Sequence, residues 1–375
     1  MTPSAVPETR LRYVPALDSL RAVAVLAVMA THADLPYVGG GELGVDIFFV
    51  LSGFLITTLI LSEATLQGRV SWPQFYARRA LRLFPAVLLV TAATMVMVLL
   101  TAGALTADSY QNIAIGKEPE GGIISNTVRE CLAAIFYFAN FAGLLGIADV
   151  FLGHTWSLAV EEQFYILWPL AFALFVRRLT PNGQVLAVGC ACAALAAARV
   201  AGLEGPGGIL QLRFDVLLVG VTAALALHHH ARISRVGRAW PVAALVITYG
   251  VVVGPDDGPS GRLLFSAVGL ATAVLVLAIW TEQLGAVSRL AHAVPLVKIG
   301  QISYGLYLWH LPVFRRVALQ DIDLSGPALV ALKFGLAFAL AIASYVLVER
   351  PALRLKRRFQ PKPMAAVVRD GVASS

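Results

Sequence analysis

Charge is what this 375-residue chain has least of. Asp, Glu, Lys and Arg make up 14% of it, against about 25% in an ordinary soluble domain. Hydrophobic residues reach 58% and the mean hydropathy is +0.77. A soluble chain of this size could not bury so much apolar surface and still cover itself with polar atoms. Cysteine is nearly absent, with only Cys131, Cys190 and Cys192, which excludes a disulfide-built secreted domain. Intrinsic disorder, collagen-like repeats and coiled-coil fibres are excluded by the same composition. Lysine is scarce beside arginine, 5 against 24, a bias that points to a GC-rich genome and not to a mechanism. There is no Gly-rich phosphate loop, no zinc motif and no Ser-centred nucleophile elbow. No internal repeat is present, so the inverted-repeat signature of many transporters is missing. The N-terminus lacks the pattern of a removable signal peptide.

What the chain has instead is a series of apolar runs near the roughly 20 residues needed to cross a bilayer. They lie near 17–34, 45–62, 83–104, 156–177, 184–202, 211–228, 239–254, 262–280, 302–319 and 327–348. The run 130–147 is ambiguous by hydropathy, and charge decides it. If it does not cross and the N-terminus is cytoplasmic, thirteen basic residues of the N-terminal tail and inner loops and seven more between Arg350 and Arg369 lie inside. Only Lys117, Arg129 and Arg262 then lie outside, in keeping with the positive-inside bias. The expectation is an all-α integral membrane protein with about ten transmembrane helices, N- and C-termini cytoplasmic, and one re-entrant or interfacial segment. Its divisions are a cytoplasmic N-terminal tail (1–13), a transmembrane domain (14–355) and a basic cytoplasmic tail (356–375) expected to be disordered. The longest extra-membrane stretch, 105–129, is too short for a domain. The net charge of +7 is spent on orientation, which argues against a nucleic-acid partner.

Ionisable residues inside spans are costly and mark candidate sites. In LDSLRAVAVLAVMATH, Arg21 and His32 are eleven residues apart, which returns them to one helix face about 16 Å apart. Asp18 can pair with Arg21. The plainer reading makes Arg21 a snorkelling cation and His32 a satisfied interfacial residue. Asp46 enters the membrane after a glycine turn and needs a partner, for which His32 is the nearest candidate. Gly44, Ser52 and Gly53 read as packing residues. In FYARRALRLFPA, Arg78 and Arg82 share a face with Arg79 beside them, suited to a polyanionic phosphate or simply to interface anchoring. In HTWSLAVEEQFYILWP, Glu161 and Glu162 point about 100° apart, so one can face a cavity while the other pairs elsewhere. Arg213 and Asp215 suit a polar wall for an extracytoplasmic ligand, and Tyr304 and His310 share one span. Glu349–Arg350 reads as a helix-end ion pair. The His228–His230 run has no acidic or Cys partners, so no metal is expected.

Taken in order, LDSLRAVAVLAVMATH, GVDIFFVLSGFLIT, FYARRALRLFPA, HTWSLAVEEQFYILWP, RFDVLLVG, ISYGLYLWHLP and ERPALRL resemble the signature blocks of the membrane acyltransferase-3 family, bacterial integral-membrane O-acyltransferases. The resemblance runs from about residue 14 to 355. It implies transfer of an acyl group, acetyl or another short acyl, from acyl-CoA to a hydroxyl of a surface glycan, a glycolipid or a secondary metabolite such as a macrolide. It also implies a multi-pass protein of the inner, cytoplasmic membrane, in contact with its lipids. Many relatives add an extracytoplasmic hydrolase-like domain, and this chain resembles the stand-alone form. The family's Arg–His motif falls on Arg21 and His32, its arginine motif on Arg78, Arg79 and Arg82, and its acidic pair on Glu161 and Glu162. Two family glycines are missing from LDSLRAVA, without touching an assigned residue.

The expected mechanism makes His32 the general base, with Asp46 or Glu161 as its orienting carboxylate and Glu162 in the same catalytic group. Arg78, Arg79 and Arg82, with Arg21 further along, hold the phosphates of acyl-CoA, a co-substrate and not a tightly bound cofactor. Arg213, Asp215, Tyr304 and His310 are the expected substrate-binding residues. The rival reading is a multi-pass transporter or flippase for a polar or anionic substrate, since intramembrane Arg, His, Asp and Glu also line transport paths.

Overall fold

A computed structural model of the chain describes residues 13–68, 70–101, 121–203, 213–256, 258–319, 324–355 and 359. The regular structure of the described residues is all helix, without a strand. The helices are α1 (Pro15–His32), α2 (Gly44–Gln67), α3 (Trp72–Thr101), α4 (Gly122–Ile135), α5 (Trp156–Leu174), α6 (Pro181–Val200), α7 (Phe214–His229), α8 (Trp240–Val253), α9 (Pro259–Trp280), α10 (Val294–Gln301), α11 (Ser303–Ala318) and α12 (Gly326–Ser344). A π-turn at Tyr345–Glu349 and a short helix, Arg350–Leu355, follow α12. Proline stands in the first turn of α1, α6, α8, α9, α10 and α12, where its missing N–H costs nothing.

Each of the ten expected spans falls on one of these helices. Seven helical stretches are long and apolar enough to cross a membrane: Gly41–Leu66, Trp72–Thr101, Gly153–Arg178, Pro181–Val200, Arg232–Val253, Pro259–Trp280 and Gly326–Leu355. The chain is thus a multi-pass membrane protein. α7 and α11, at 16 residues each, are shorter than the seven, and α1, at 18 residues, is made less apolar by Asp18, Arg21 and His32.

The ambiguous run 130–147 is not one helix. α4 begins within the expected loop 105–129 and ends at Ile135, and the chain then turns through Tyr137 at φ 57° and a single 3-10 turn at Ala139–Phe141. Its 14 residues rise only about 21 Å, short of the hydrocarbon core. The remaining N-terminal residues and all of the basic tail except Phe359 lie outside the described residues.

α2 and α7 pack backbone against backbone. A side chain at Gly53 would strike the Leu217 carbonyl, and one at Gly220 the Val50 carbonyl. Small residues let two backbones touch where lipid supplies no hydrophobic drive.

Candidate active site

One cavity of about 110 Å³ lies among α1, α2, α3, α5 and α11. Arg21, Arg79 and Arg82 line it, with Glu161 and Tyr165, then Ser52, Ser157, Tyr304 and Tyr307. The spacing on α1 explains the first of these: Asp18 takes a hydrogen bond from Arg21 at 2.7 Å, and Tyr13 donates to the other oxygen of Asp18 at 2.7 Å. Arg82 lies near enough to Arg21 for their charges to act on one another. The Arg79 guanidinium stacks 3.2 Å above the centre of the Tyr165 ring. Glu162 faces Arg79 and Arg82, while Glu161 accepts hydrogen bonds from Ser52 and Tyr165. The two acids therefore diverge as their helix positions require, Glu161 onto the cavity wall and Glu162 toward the arginines.

Arg78 behaves differently from its neighbours. It is buried, donates to Glu63 at 3.0 Å and to the Phe359 carbonyl at 2.8 Å, and does not line the cavity. Glu63 also accepts from the Ser71 amide at 2.9 Å. Arg78 thus ties the end of α2 to the start of α3, and Arg79 and Arg82 are the members of the cluster that face the cavity.

Tyr307 joins this cavity to three histidines. Its hydroxyl donates to the His154 carbonyl at 2.8 Å and lies 2.7 Å from Ser157 Oγ. Its ring meets those of His154 and His310, with centroids 5.3 and 5.4 Å away. His310 Nε2 lies 3.2 Å from His32 Nδ1, and His310 Nδ1 lies 2.5 Å from the Tyr307 carbonyl. The His154 ring packs edge-on against His310 at 5.0 Å. Pro312 deprives the Leu308 carbonyl of its helical N–H partner, and that carbonyl faces His154. His32 and Arg21 thus stand at the two ends of α1, one by the histidines and the other in the cavity.

The loop that delivers His154 is held from α4. Glu130, buried, accepts from the amides of Val150, Phe151 and Leu152 at 2.9, 3.1 and 3.1 Å. The Asn126 amide both donates to and accepts from the Ala148 backbone, at 3.0 and 2.9 Å.

Several expected partnerships are corrected. Asp46 is not the partner of His32: it is fully buried and takes two hydrogen bonds from Arg213, at 2.6 and 2.7 Å. Arg213 in turn lies 3.8 Å from the centre of the Phe265 ring. Asp215 is ion-paired with Arg199 of α6, which also donates to Ser266 and to the Arg262 carbonyl. Arg213 and Asp215 are therefore spent on internal pairs and do not form an open polar wall. A buried cation must find an anion, and the sequence held more than one choice for each. Glu161 pairs with hydroxyls and not with His32. Tyr304 lines the cavity and donates to the Leu83 carbonyl at 3.1 Å. Glu349 accepts from Ser344 at 3.0 Å and feels Arg82, where Arg350 was expected as its partner. Sequence reasoning missed His154, Ser157, Tyr165 and Tyr307 as site residues, although each lies inside a quoted block. Ser52 read as packing.

The family described as "Acyltransferase domain" matches residues 14–348. The chain is 30% identical over 363 residues to the O-acetyltransferase OatA of Staphylococcus aureus (strain NCTC 8325 / PS 47), covering 91% of this chain and 57% of that protein. It is 30% identical over 369 residues to the putative peptidoglycan O-acetyltransferase YrhL of Bacillus subtilis (strain 168), covering 91% and 55%. To the peptidoglycan O-acetyltransferase OatA of Listeria monocytogenes serovar 1/2a (strain ATCC BAA-679 / EGD-e) it is 28% identical, covering 91% and 56%. The chain spans little more than half the length of these relatives. No solved structure matches it. With a match across nearly all of its membrane helices, the chain belongs to the acyltransferase-3 family.

Proposed function

We propose that the protein is a membrane O-acyltransferase of the inner membrane that moves an acetyl or other short acyl group from acyl-CoA to a hydroxyl of a cell-surface glycan, with His32 as general base. The observation that carries this reading is the continuity of the site: a small cavity with three arginines in its lining is joined through Tyr307 to the histidine cluster. Guanidinium groups suit the phosphates of a CoA. Arg21 and His32 are about 16 Å apart along α1, a span that an extended pantetheine arm covers. The charge bias of the sequence puts the arginine end toward the cytoplasm, where acyl-CoA is made, and the histidine end toward the outer face. The glycan acceptor rests on the relatives named as peptidoglycan O-acetyltransferases.

In the proposed step His32 takes the proton of the acceptor hydroxyl as its oxygen attacks the thioester carbonyl. The tetrahedral oxyanion collapses and expels the CoA thiolate, which recovers the proton from His32. Ser157 and Tyr307 stand on the cavity wall, their hydroxyls bonded to one another and to the His154 carbonyl, and so fix the seam between the cavity and the histidines. Glu161, Tyr165 and Ser52 fix the wall on which Arg79 stacks.

The test is thiol release from acetyl-, propionyl- and longer acyl-CoAs by the purified protein in detergent, with soluble peptidoglycan fragments as acceptor. Acceptor-dependent release that disappears in His32→Ala supports the reading. Folded protein that binds CoA yet transfers nothing to any glycan hydroxyl removes it, and transport of an intact substrate without thiol release would put a transporter in its place.

A further inference from the structure

We infer that His310 is the positioning partner of His32, holding it as the Nδ1–H tautomer so that Nε2 is the atom that receives the acceptor's proton. This rests on the reading of His32 as base. It assigns His310, expected to bind substrate, to the orientation of another side chain.

The argument is a count of protons along one chain of contacts. His310 Nδ1 lies 2.5 Å from the Tyr307 carbonyl oxygen. A carbonyl only accepts, so Nδ1 of His310 carries the hydrogen. A neutral imidazole has one donor and one acceptor nitrogen, so Nε2 of His310 carries a lone pair. That lone pair lies 3.2 Å from Nδ1 of His32. Two lone pairs do not share such a contact, so His32 Nδ1 carries the hydrogen and His32 Nε2 is left bare. The opposite arrangement would set lone pair against lone pair at the Tyr307 carbonyl.

His310 is fully buried, its neighbours are His154 and His32, and Arg315 acts on His32 as well. Asp34, in the turn after α1, is the carboxylate that acts on His32, which also meets the Val28 carbonyl, and among the described residues His310 bonds to the Tyr307 carbonyl and His32 and to no carboxylate. In serine hydrolases a carboxylate fixes the tautomer of the base. Here a second imidazole, itself fixed by a backbone carbonyl three residues earlier, occupies that place. The arrangement holds His32 without Asp46 or Glu161, both of which are bonded elsewhere.

The experiment compares full-length His310→Leu, His310→Gln and His32→Ala in detergent, using acetyl-CoA and soluble peptidoglycan fragments. It reads kcat, the KM for acetyl-CoA and thermal unfolding. Leu removes the acceptor at the Nε2 position, while the Gln side-chain oxygen restores one there. The expected result is a kcat lower by roughly 100-fold in His310→Leu, with the KM for acetyl-CoA within about twofold of the parent. His310→Gln should recover about tenfold of that loss. His310→Leu with parental kcat beside an inactive His32→Ala would overturn the inference and leave the base intact. A folded His310→Gln as inactive as a folded His310→Leu would also overturn it, and if His310→Leu does not fold, His310→Gln decides against the parent. Undiminished transfer by His32→Ala would instead remove the base reading on which it stands.

Discussion

Replacing Asp46 by Ala separates a structural carboxylate from a catalytic one. Asp46 is fully buried and holds Arg213 through two short hydrogen bonds, at 2.6 and 2.7 Å. Deleting one partner of a buried pair leaves an orphan charge and costs about 3–5 kcal/mol. The Arg213 side chain keeps 17% exposure and lies over the Phe265 ring. Water and the ring therefore absorb part of its charge, which puts the expected loss near the lower end, about 3 kcal/mol. Replacing both residues, Asp46→Leu with Arg213→Met, removes the orphan and should return most of the loss, giving a coupling of about 2 kcal/mol in a double-mutant cycle. The assay is reversible unfolding of the purified protein in mixed micelles, run beside thiol release normalised to folded protein. Activity per folded molecule should stay within about threefold of the parent. An Asp46→Ala protein that unfolds like the parent but loses transfer as completely as His32→Ala would refute the reasoning and return Asp46 to the histidines.

Three further outcomes follow from the same contacts. Arg79→Ala and Arg82→Ala should each weaken CoA binding by roughly tenfold, read by titration calorimetry and diminishing with added salt, whereas Arg78→Ala should chiefly lower the unfolding temperature because it strands Glu63. Glu130→Ala leaves three backbone amides without an acceptor, so it should lose roughly 3 kcal/mol or more of stability together with activity, while Glu130→Gln, keeping one carbonyl oxygen, should lose clearly less in the same unfolding assay. Gly53→Val drives a side chain into the Leu217 carbonyl, and the overpacking should cost about 1–3 kcal/mol, visible as a lower yield of folded protein even though no site residue changes.

The sequence made the helices legible because a bilayer imposes a length and an apolarity that few segments can imitate. Length and apolarity single out seven of the ten expected spans, and the other three are helices set among their neighbours. α1, α7 and α11 are interior enough to carry Arg21, Asp215 and His310, and such helices need not satisfy a lipid-facing criterion. The cavity wall was legible in part for a related reason. Periodicity reports which residues share a face, as for Arg21 and His32 on α1 or the divergence of Glu161 and Glu162 on α5, but not which helix lies opposite that face.

Pairing across helices was the part the sequence withheld. Asp46 had several cations that could satisfy it, and the choice of Arg213 follows from α2 and α7 touching at Gly53 and Gly220. That same close packing sets Asp46 of α2 beside the head of α7, where Arg213 takes both of its oxygens. The neighbour of His32 comes from α11, which packs on α1 and brings His310 within 3.2 Å. A glycine contact that reads as mere packing thus sets which cation Asp46 meets, and the histidine pair is assembled by a different contact, that of α11 on α1.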